Sequence, residues 1–113
     1  SKDKQTLLCA LYRITGTFTV DSAVKNIAGF AFDAQGMEEV IIPEGVTTIG
    51  SGAFSQCGNL KKIEIPSTVI EIGYSTFERC NSLENIVINR KSGSISENPW
   101  GAPKGDRAIK WLK

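Results

Sequence analysis

Side chains able to carry chemistry are few in this chain of 113 residues. Histidine is absent from the whole sequence, which argues against Ser-His and Cys-His nucleophile pairs and most zinc sites. The three cysteines, Cys9, Cys57 and Cys80, have neither CxxC spacing nor a number that fits a disulfide framework. Ser51 lies between two glycines, as a nucleophile does at a sharp turn, but the sequence offers it no base. We therefore expect no enzyme, no metal site and no cofactor.

Composition and charge describe one globular domain. Hydrophobic residues make up 41% and charged residues 22% of the chain, which is ordinary for a folded domain. Thirteen Lys and Arg stand against twelve Asp and Glu, and a net charge of +1 offers little attraction to nucleic acid. No apolar run approaches the roughly 18 residues that a membrane-spanning helix needs. The chain starts at Ser1 without an initiator Met or a signal peptide, so we expect a piece of a longer protein.

A repeat of 23 residues accounts for the two later cysteines. Residues 40–50 recur as residues 63–73, and the same step of 23 carries Cys57 to Cys80. Upstream, the residues from Phe18 onward match the next repeat at a step of 22. Such a period predicts a solenoid, in which each coil buries its apolar face against its neighbours. Equivalent residues of adjacent coils should then lie about 5 Å apart.

Each repeat contains a short strand and a tighter segment. Val40 and Ile42 flank Ile41 with the alternation of a strand, and Pro43 should end that strand. Over residues 53–60 the apolar side chains recur every three residues, which favours a short helical or 3₁₀ turn. The phenylalanines of successive repeats should stack as a buried aromatic column.

The recurring pattern I-x-I-P-x-x-V-x-x-I-G, followed by F-x-x-C-x-x-L, resembles the BspA-like leucine-rich repeat, the Treponema pallidum-type class of bacterial surface proteins. The resemblance covers residues 17–89, as about three repeats of 22–23 residues and a last strand. It implies an α/β-type solenoid, a right-handed leucine-rich repeat with short parallel strands and 3₁₀ or irregular convex segments. We expect one domain over residues 1–113, with an N-terminal hairpin over 1–16 and a C-terminal cap over 90–113.

Alternatives stay open for the cysteines and the tryptophans. The Cys57 and Cys80 side chains should point inward in one column, as buried thiols, as a disulfide between neighbouring coils, or as metal ligands; we favour buried thiols. Trp100 is expected to cover the last coil, although a carbohydrate site built from Trp100 and Trp111 is the alternative. The alternation over residues 108–112 predicts a final strand.

Binding residues are expected on the outward face of the strands and at one turn. Two columns of outward side chains run across the coils, and apolar Ile41 and Val87 in one of them are separated by Glu64. Tyr74 takes the place that Ser51 has in the preceding repeat and should lie exposed beside a turn. The candidate set is Thr19, Glu39, Ile41, Lys62, Glu64, Tyr74, Asn85 and Val87.

The function follows from the resemblance, because the residues themselves offer only an extended face without a catalytic group. The resemblance implies a non-catalytic protein-interaction or adhesion module of a bacterial cell-surface or secreted protein. Its partner would be a host or bacterial extracellular protein, and the domain itself a monomer. Two alternatives are a structural spacer within a larger surface protein and a carbohydrate-binding accessory module.

Overall fold

Short strands form the framework of the computed structural model, which describes residues 6–7, 14–91, 94–95 and 100–112. In chain order the strands are β1 (Thr6–Leu7), β2 (Thr15–Thr19), β3 (Asn26–Ile27), β4 (Gly36–Ile41), β5 (Thr48–Ile49), β6 (Lys62–Ile65), β7 (Glu71–Ile72), β8 (Asn85–Lys91) and β9 (Ile109–Leu112).

These strands build two parallel sheets on different sides of one core. The larger sheet has the strand order β2-β4-β6-β8-β9, and the smaller sheet has the order β1-β3-β5-β7. Every described pairing is parallel, and each strand pairs with the equivalent strand of the next coil. The chain is therefore a parallel β-solenoid of about four turns, in which every turn adds a strand to a sheet.

The strand register reproduces the sequence period. Val40 pairs with Ile63, and Ile63 pairs with Ile86, each a step of 23 residues. Phe18 pairs with Val40, the step of 22 that the shorter first repeat predicts. Strand β6 ends directly before Pro66, and β4 ends two residues before Pro43. Proline has no N–H to donate to a ladder, so it limits how far each strand runs.

The α/β description is not supported. The described residues contain no α-helix, and their single helical segment is a 3₁₀ helix at Gly105–Ala108. Where the spacing of three favoured a helical turn, the backbone forms isolated turns such as the bond from the Ala53 N–H to the Gly50 carbonyl. Gln56 and Arg79 have left-handed φ angles of 61° and 62°, which interrupt a right-handed helix at the same point of each coil.

Other backbone hydrogen bonds of these turn segments run between coils. The Phe32 N–H donates to the Ala53 carbonyl at 2.8 Å, and the Phe54 N–H donates to the Thr76 carbonyl at 3.0 Å. An α-helix would use the same groups within one segment, so the stacking of coils takes the place of helix formation.

A column of aromatic rings runs along the solenoid axis, as the sequence predicts. Phe32 and Phe54 are stacked with ring centroids 5.2 Å apart, and Phe54 and Phe77 with centroids 6.2 Å apart. Trp100 continues the column edge-on against Phe77 at 6.3 Å. Around the column, the inward strand side chains of the inner coils are fully buried. The core is thus continuous along the axis, and every coil contributes side chains to it.

The chain after residue 100 continues the solenoid. Ile109 pairs with Ile86 and Trp111 with Ile88, again a step of 23, so the strand predicted over residues 108–112 is present as β9. Trp100 lies one period after Phe77. The tail therefore adds a further coil, whatever capping role it has in addition.

Most of the expected N-terminal hairpin lies outside the described residues, and so does Cys9. Of that segment the structure describes Thr6–Leu7, which pairs in parallel with β3, and residues 14–16, which lead into and begin β2. The boundaries proposed for the N-terminal and C-terminal segments stay predictions.

Candidate binding surface

Seven of the eight candidate residues lie on the outer side of the five-stranded sheet, in two straight columns. The strand pairing aligns Glu39 with Lys62 and Lys62 with Asn85. The second column aligns Thr19, Ile41, Glu64, Val87 and Lys110, one residue from each strand of the sheet.

The side chains on this sheet face shield one another. Glu39, Ile41, Lys62, Glu64, Asn85 and Val87 are all half-buried, whereas Thr19 at the edge is exposed. Neighbouring side chains in one column of a parallel sheet lie about 5 Å apart and shield each other from water. The charges alternate in sign between adjacent coils. The face therefore presents positive charges, negative charges and two apolar side chains in a fixed order.

A third column, one residue upstream of the column that starts at Glu39, carries alternating charges on Glu38, Lys61 and Glu84. Lys61 lies 3.8 Å from Glu38, with both side chains well exposed. Glu84, however, pairs with Lys104 at 3.1 Å, a residue of the tail that the repeat pattern did not indicate. Exposed pairs of this kind contribute about 0–1 kcal/mol, so they orient side chains more than they stabilise the fold.

Tyr74 does not lie on this face. It follows β7 of the smaller sheet and is 58% exposed at the turn, as the sequence predicts. Three other large apolar side chains of the described residues are exposed to a similar degree and were not in the candidate set: Phe30, at 62%, Ile70, at 60%, and Leu112, at 54%. Phe30 takes the place that Gly52 and Ser75 take in later repeats, so an aromatic residue at a small-residue position was the signal that could have identified it.

The Phe30 ring lies directly over Gly52 of the next coil. A Cβ atom at Gly52 would come within 2.4 Å of that ring, so only glycine leaves room for it. Gly52 also has a φ of +67°, which glycine adopts without steric cost. Glycine at position 52 therefore leaves the space that the Phe30 ring occupies, and part of that ring stays exposed to solvent.

Cys57 and Cys80 are fully buried thiols that are not joined to each other by a disulfide, which agrees with the interpretation favoured from the sequence. The Cys57 thiol donates to the Phe32 carbonyl at 3.2 Å, and the Cys80 thiol donates to the Phe54 carbonyl at 3.0 Å. A hydrogen bond with the Cys57 side chain, together with burial, raises the pKa of the Cys80 thiol well above its usual range. Neither group is placed to act as a nucleophile.

Burial also bears on the carbohydrate alternative. Trp100 is only 5% exposed because it lies in the aromatic column, so its ring has no free face for a sugar. Trp111 is half-buried, and its ring centroid lies 6.3 Å from that of Trp100.

In the part of the chain that the structure describes, no group of three metal-ligating side chains comes together. There is likewise no helix among these residues with the length and apolarity to cross a membrane.

Comparison with known proteins agrees with the repeat. No individual curated protein matches the chain significantly. The sequence model of the BspA-type leucine-rich repeat region matches residues 12–100, in six copies. That match covers well over half of the chain and coincides with the coils, including the aromatic column from Phe18 to Trp100. The chain therefore belongs to the BspA-type leucine-rich repeat family.

Proposed function

We propose that this domain is a non-catalytic protein-binding module, used for adhesion, of a bacterial cell-surface or secreted protein. Repeat domains of this family are generally binding modules and are typically surface-associated. The observation that carries the proposal is the outer face of the five-stranded sheet, where half-buried Ile41 and Val87 flank Glu64 in one column. Apolar side chains on an otherwise polar, open face favour contact with a partner.

The size of the face indicates the kind of contact. Five strands at about 4.8 Å spacing and about five residues at 3.3 Å give a face of roughly 19 by 16 Å. A standard protein interface takes about 800 Å² from each partner. We therefore propose that the partner, an extracellular protein of the host or of another bacterium, extends past the sheet onto neighbouring surfaces, and that the domain binds it as a monomer.

The test is capture of immobilised extracellular-matrix and bacterial surface proteins by the purified domain. We expect saturable binding that Ile41→Lys/Val87→Lys abolishes, because two charges would interrupt the apolar positions of the face. Ile70→Lys is the matched control, since Ile70 is an exposed apolar residue away from the larger sheet. Both variants should keep the melting temperature of the wild type.

Other outcomes redirect the proposal. Binding that only Tyr74→Ala removes would move the site to the turn after β7. Loss only in a Trp111→Ala variant, with a glycan as ligand, would support the carbohydrate-binding alternative. Absence of any capture at tens of micromolar would contradict the adhesion proposal and favour the structural spacer.

A further inference from the structure

A charged cleft lies beside the start of β8, where residues 104–108 of the last coil approach Glu84. Its two adjoining hollows have volumes of about 300 and 240 Å³ and share Glu84 and Lys104 in their walls. Lys61 and Asn81 line one hollow, and Arg107 lines the other. Each hollow is the size of one or two side chains and falls at or below the lower limit of small-molecule pockets.

The cleft exists because the last coil departs from the repeat. Gly105, with a φ of +59°, starts the 3₁₀ helix Gly105–Ala108, and its N–H donates to the Ala102 carbonyl at 2.9 Å. This turn brings the Lys104 ammonium to 3.1 Å from the Glu84 carboxylate, across 20 residues of sequence. Arg107 lies one period after Glu84, which itself lies one period after Lys61.

Positive charge exceeds negative charge among the described side chains that line the cleft. Lys61, Lys104 and Arg107 stand against one carboxylate, that of Glu84. Glu84 pairs with Lys104, and Lys61 has a distant partner in Glu38 at 3.8 Å. The Arg107 guanidinium has no ion pair within the described residues. Clustered charge of one sign in a concave site raises the local concentration of ligands of the opposite sign.

We propose that this cleft binds an acidic segment of a partner protein, with a carboxylate held between Lys104 and Arg107. The planar guanidinium of arginine presents paired donors that match a carboxylate. The amide of Asn81 and the hydroxyl of Ser82 line the neighbouring hollow and supply neutral donors. This assignment rests on the proposed protein-binding function and names the chemistry of the partner.

The position of the cleft makes it an extension of the sheet face. Lys61 and Glu84 come directly before Lys62 and Asn85, which belong to the proposed binding face. A partner segment anchored in the cleft can therefore continue across the strands, which enlarges a face that is small by itself. Acidic side chains of the segment would meet Lys62 next.

Glu84 acts as an internal competitor in this arrangement. Its carboxylate already holds Lys104, so an incoming carboxylate must share or replace that pair. Removing the charge of Glu84 should therefore strengthen binding, whereas removing the cations should weaken it. A nonspecific attraction to basic residues does not predict that the position of the substituted charge matters.

The experiment uses the full chain and a fluorescein-labelled peptide of ten glutamates, followed by fluorescence anisotropy in low salt. We expect saturable binding, at least tenfold weaker for Lys104→Glu/Arg107→Glu and severalfold tighter for Glu84→Gln. Lys25→Glu/Lys91→Glu is the control, because it changes the net charge equally at exposed residues that do not line the cleft. Circular dichroism melting curves would show whether each variant is folded.

The outcomes separate this proposal from its rivals and from the function it rests on. Equal weakening in the Lys25→Glu/Lys91→Glu control, or no gain with Glu84→Gln, would overturn the cleft as the site. Binding of heparin without binding of the glutamate peptide would assign the cleft to an anionic polysaccharide instead. Peptide binding and capture are separate measurements: peptide binding without capture would overturn the adhesion proposal alone, and capture without peptide binding would overturn the cleft alone.

Discussion

Cysteine is a reactive residue type, but Cys57 and Cys80 have a structural role in this protein. Cys57 and Cys80 lie one coil apart and each satisfies a backbone carbonyl of the preceding coil. These carbonyls belong to Phe32 and Phe54, so the thiols tie the turn segments to the aromatic column. A buried carbonyl without a donor costs about 1–3 kcal/mol, which explains a weak donor at this position better than reactivity does.

The Cys80 thiol should therefore be inert in the folded protein and should link stability to alkaline pH. Its pKa is raised by the Cys57 side chain and by burial, so the unfolded chain loses this proton at a lower pH than the folded chain does. The free energy of unfolding should fall as the pH rises above the ordinary thiol pKa, by up to about 1.4 kcal/mol per pH unit.

Two measurements check this expectation. Iodoacetamide should label Cys57 and Cys80 only after denaturation, as seen by mass spectrometry of the digested protein. Urea titrations between pH 7 and pH 10 should give a decreasing stability that a Cys80→Ala variant shows less steeply. Labelling of Cys80 in the native protein at the rate of the unfolded chain would contradict the buried-thiol interpretation.

At the scale of the elements, glycines fix how closely the turns after the short strands stack. Gly50 follows β5, and a Cβ atom there would lie 2.5 Å from the backbone nitrogen of Gly29. Gly73 follows β7 and has the same relation to the backbone nitrogen of Ser51. Contacts with a backbone cannot be relieved by a side-chain rotation, so a methyl group would push the coils apart.

Gly50→Ala should therefore destabilise the fold although alanine is a small residue. We expect a loss of about 1–3 kcal/mol in the free energy of unfolding, the range for overpacking a tight site. Gly58→Ala is the control, since a Cβ atom at Gly58 would meet nothing within 4 Å. Chemical denaturation of both variants makes the comparison, and similar stabilities would refute the close-stacking explanation.

The repeat pattern predicts the strands, the register and the two outward columns, because a fixed period determines which residues stack. It does not predict that the turn segments lack a helix. Ala34, Gln56 and Arg79 adopt left-handed φ angles of 59–62° without being glycine, and nothing in their side chains signals this conformation. The inter-coil hydrogen bonds that hold Ala34 and Gln56 in this conformation are tertiary interactions.

The 23-residue period extends into the last coil, but the composition of that coil resembles a cap and hides the repeat. Steps of 23 connect Phe77 to Trp100 and Ile88 to Trp111, although the prolines and glycines between them resemble a cap. The cleft at Glu84 was not predictable, because Lys104 reaches it through a turn that breaks the period. Candidate residues that follow the repeat can be found from its 23-residue period. Candidate residues of a site that forms where the repeat is interrupted, such as Lys104, can be found only from the structure.

At the scale of the whole molecule, stability should be distributed along the axis as in a stack of coupled units. The inner strand residues Val40, Ile63 and Ile86 are fully buried between two neighbours. Phe18 and Ile109, which take the same place in the first and last strands of the larger sheet, are half-buried. In a solenoid each coil interacts with its neighbours alone, so the end coils open more readily than the middle ones.

Trp111→Ala should loosen the C-terminal end while leaving the centre intact. Trp111 contacts Trp100 and lies in β9, which within the described residues pairs with β8 alone. Hydrogen exchange should show faster exchange of the β9 amides and little change in β4 and β6. Phe54→Ala removes a ring stacked between Phe32 and Phe77. It should cost about 3–5 kcal/mol and raise exchange in every coil. A uniform loss of protection in Trp111→Ala would instead mean that the whole solenoid unfolds as one unit, with no independent opening at its end.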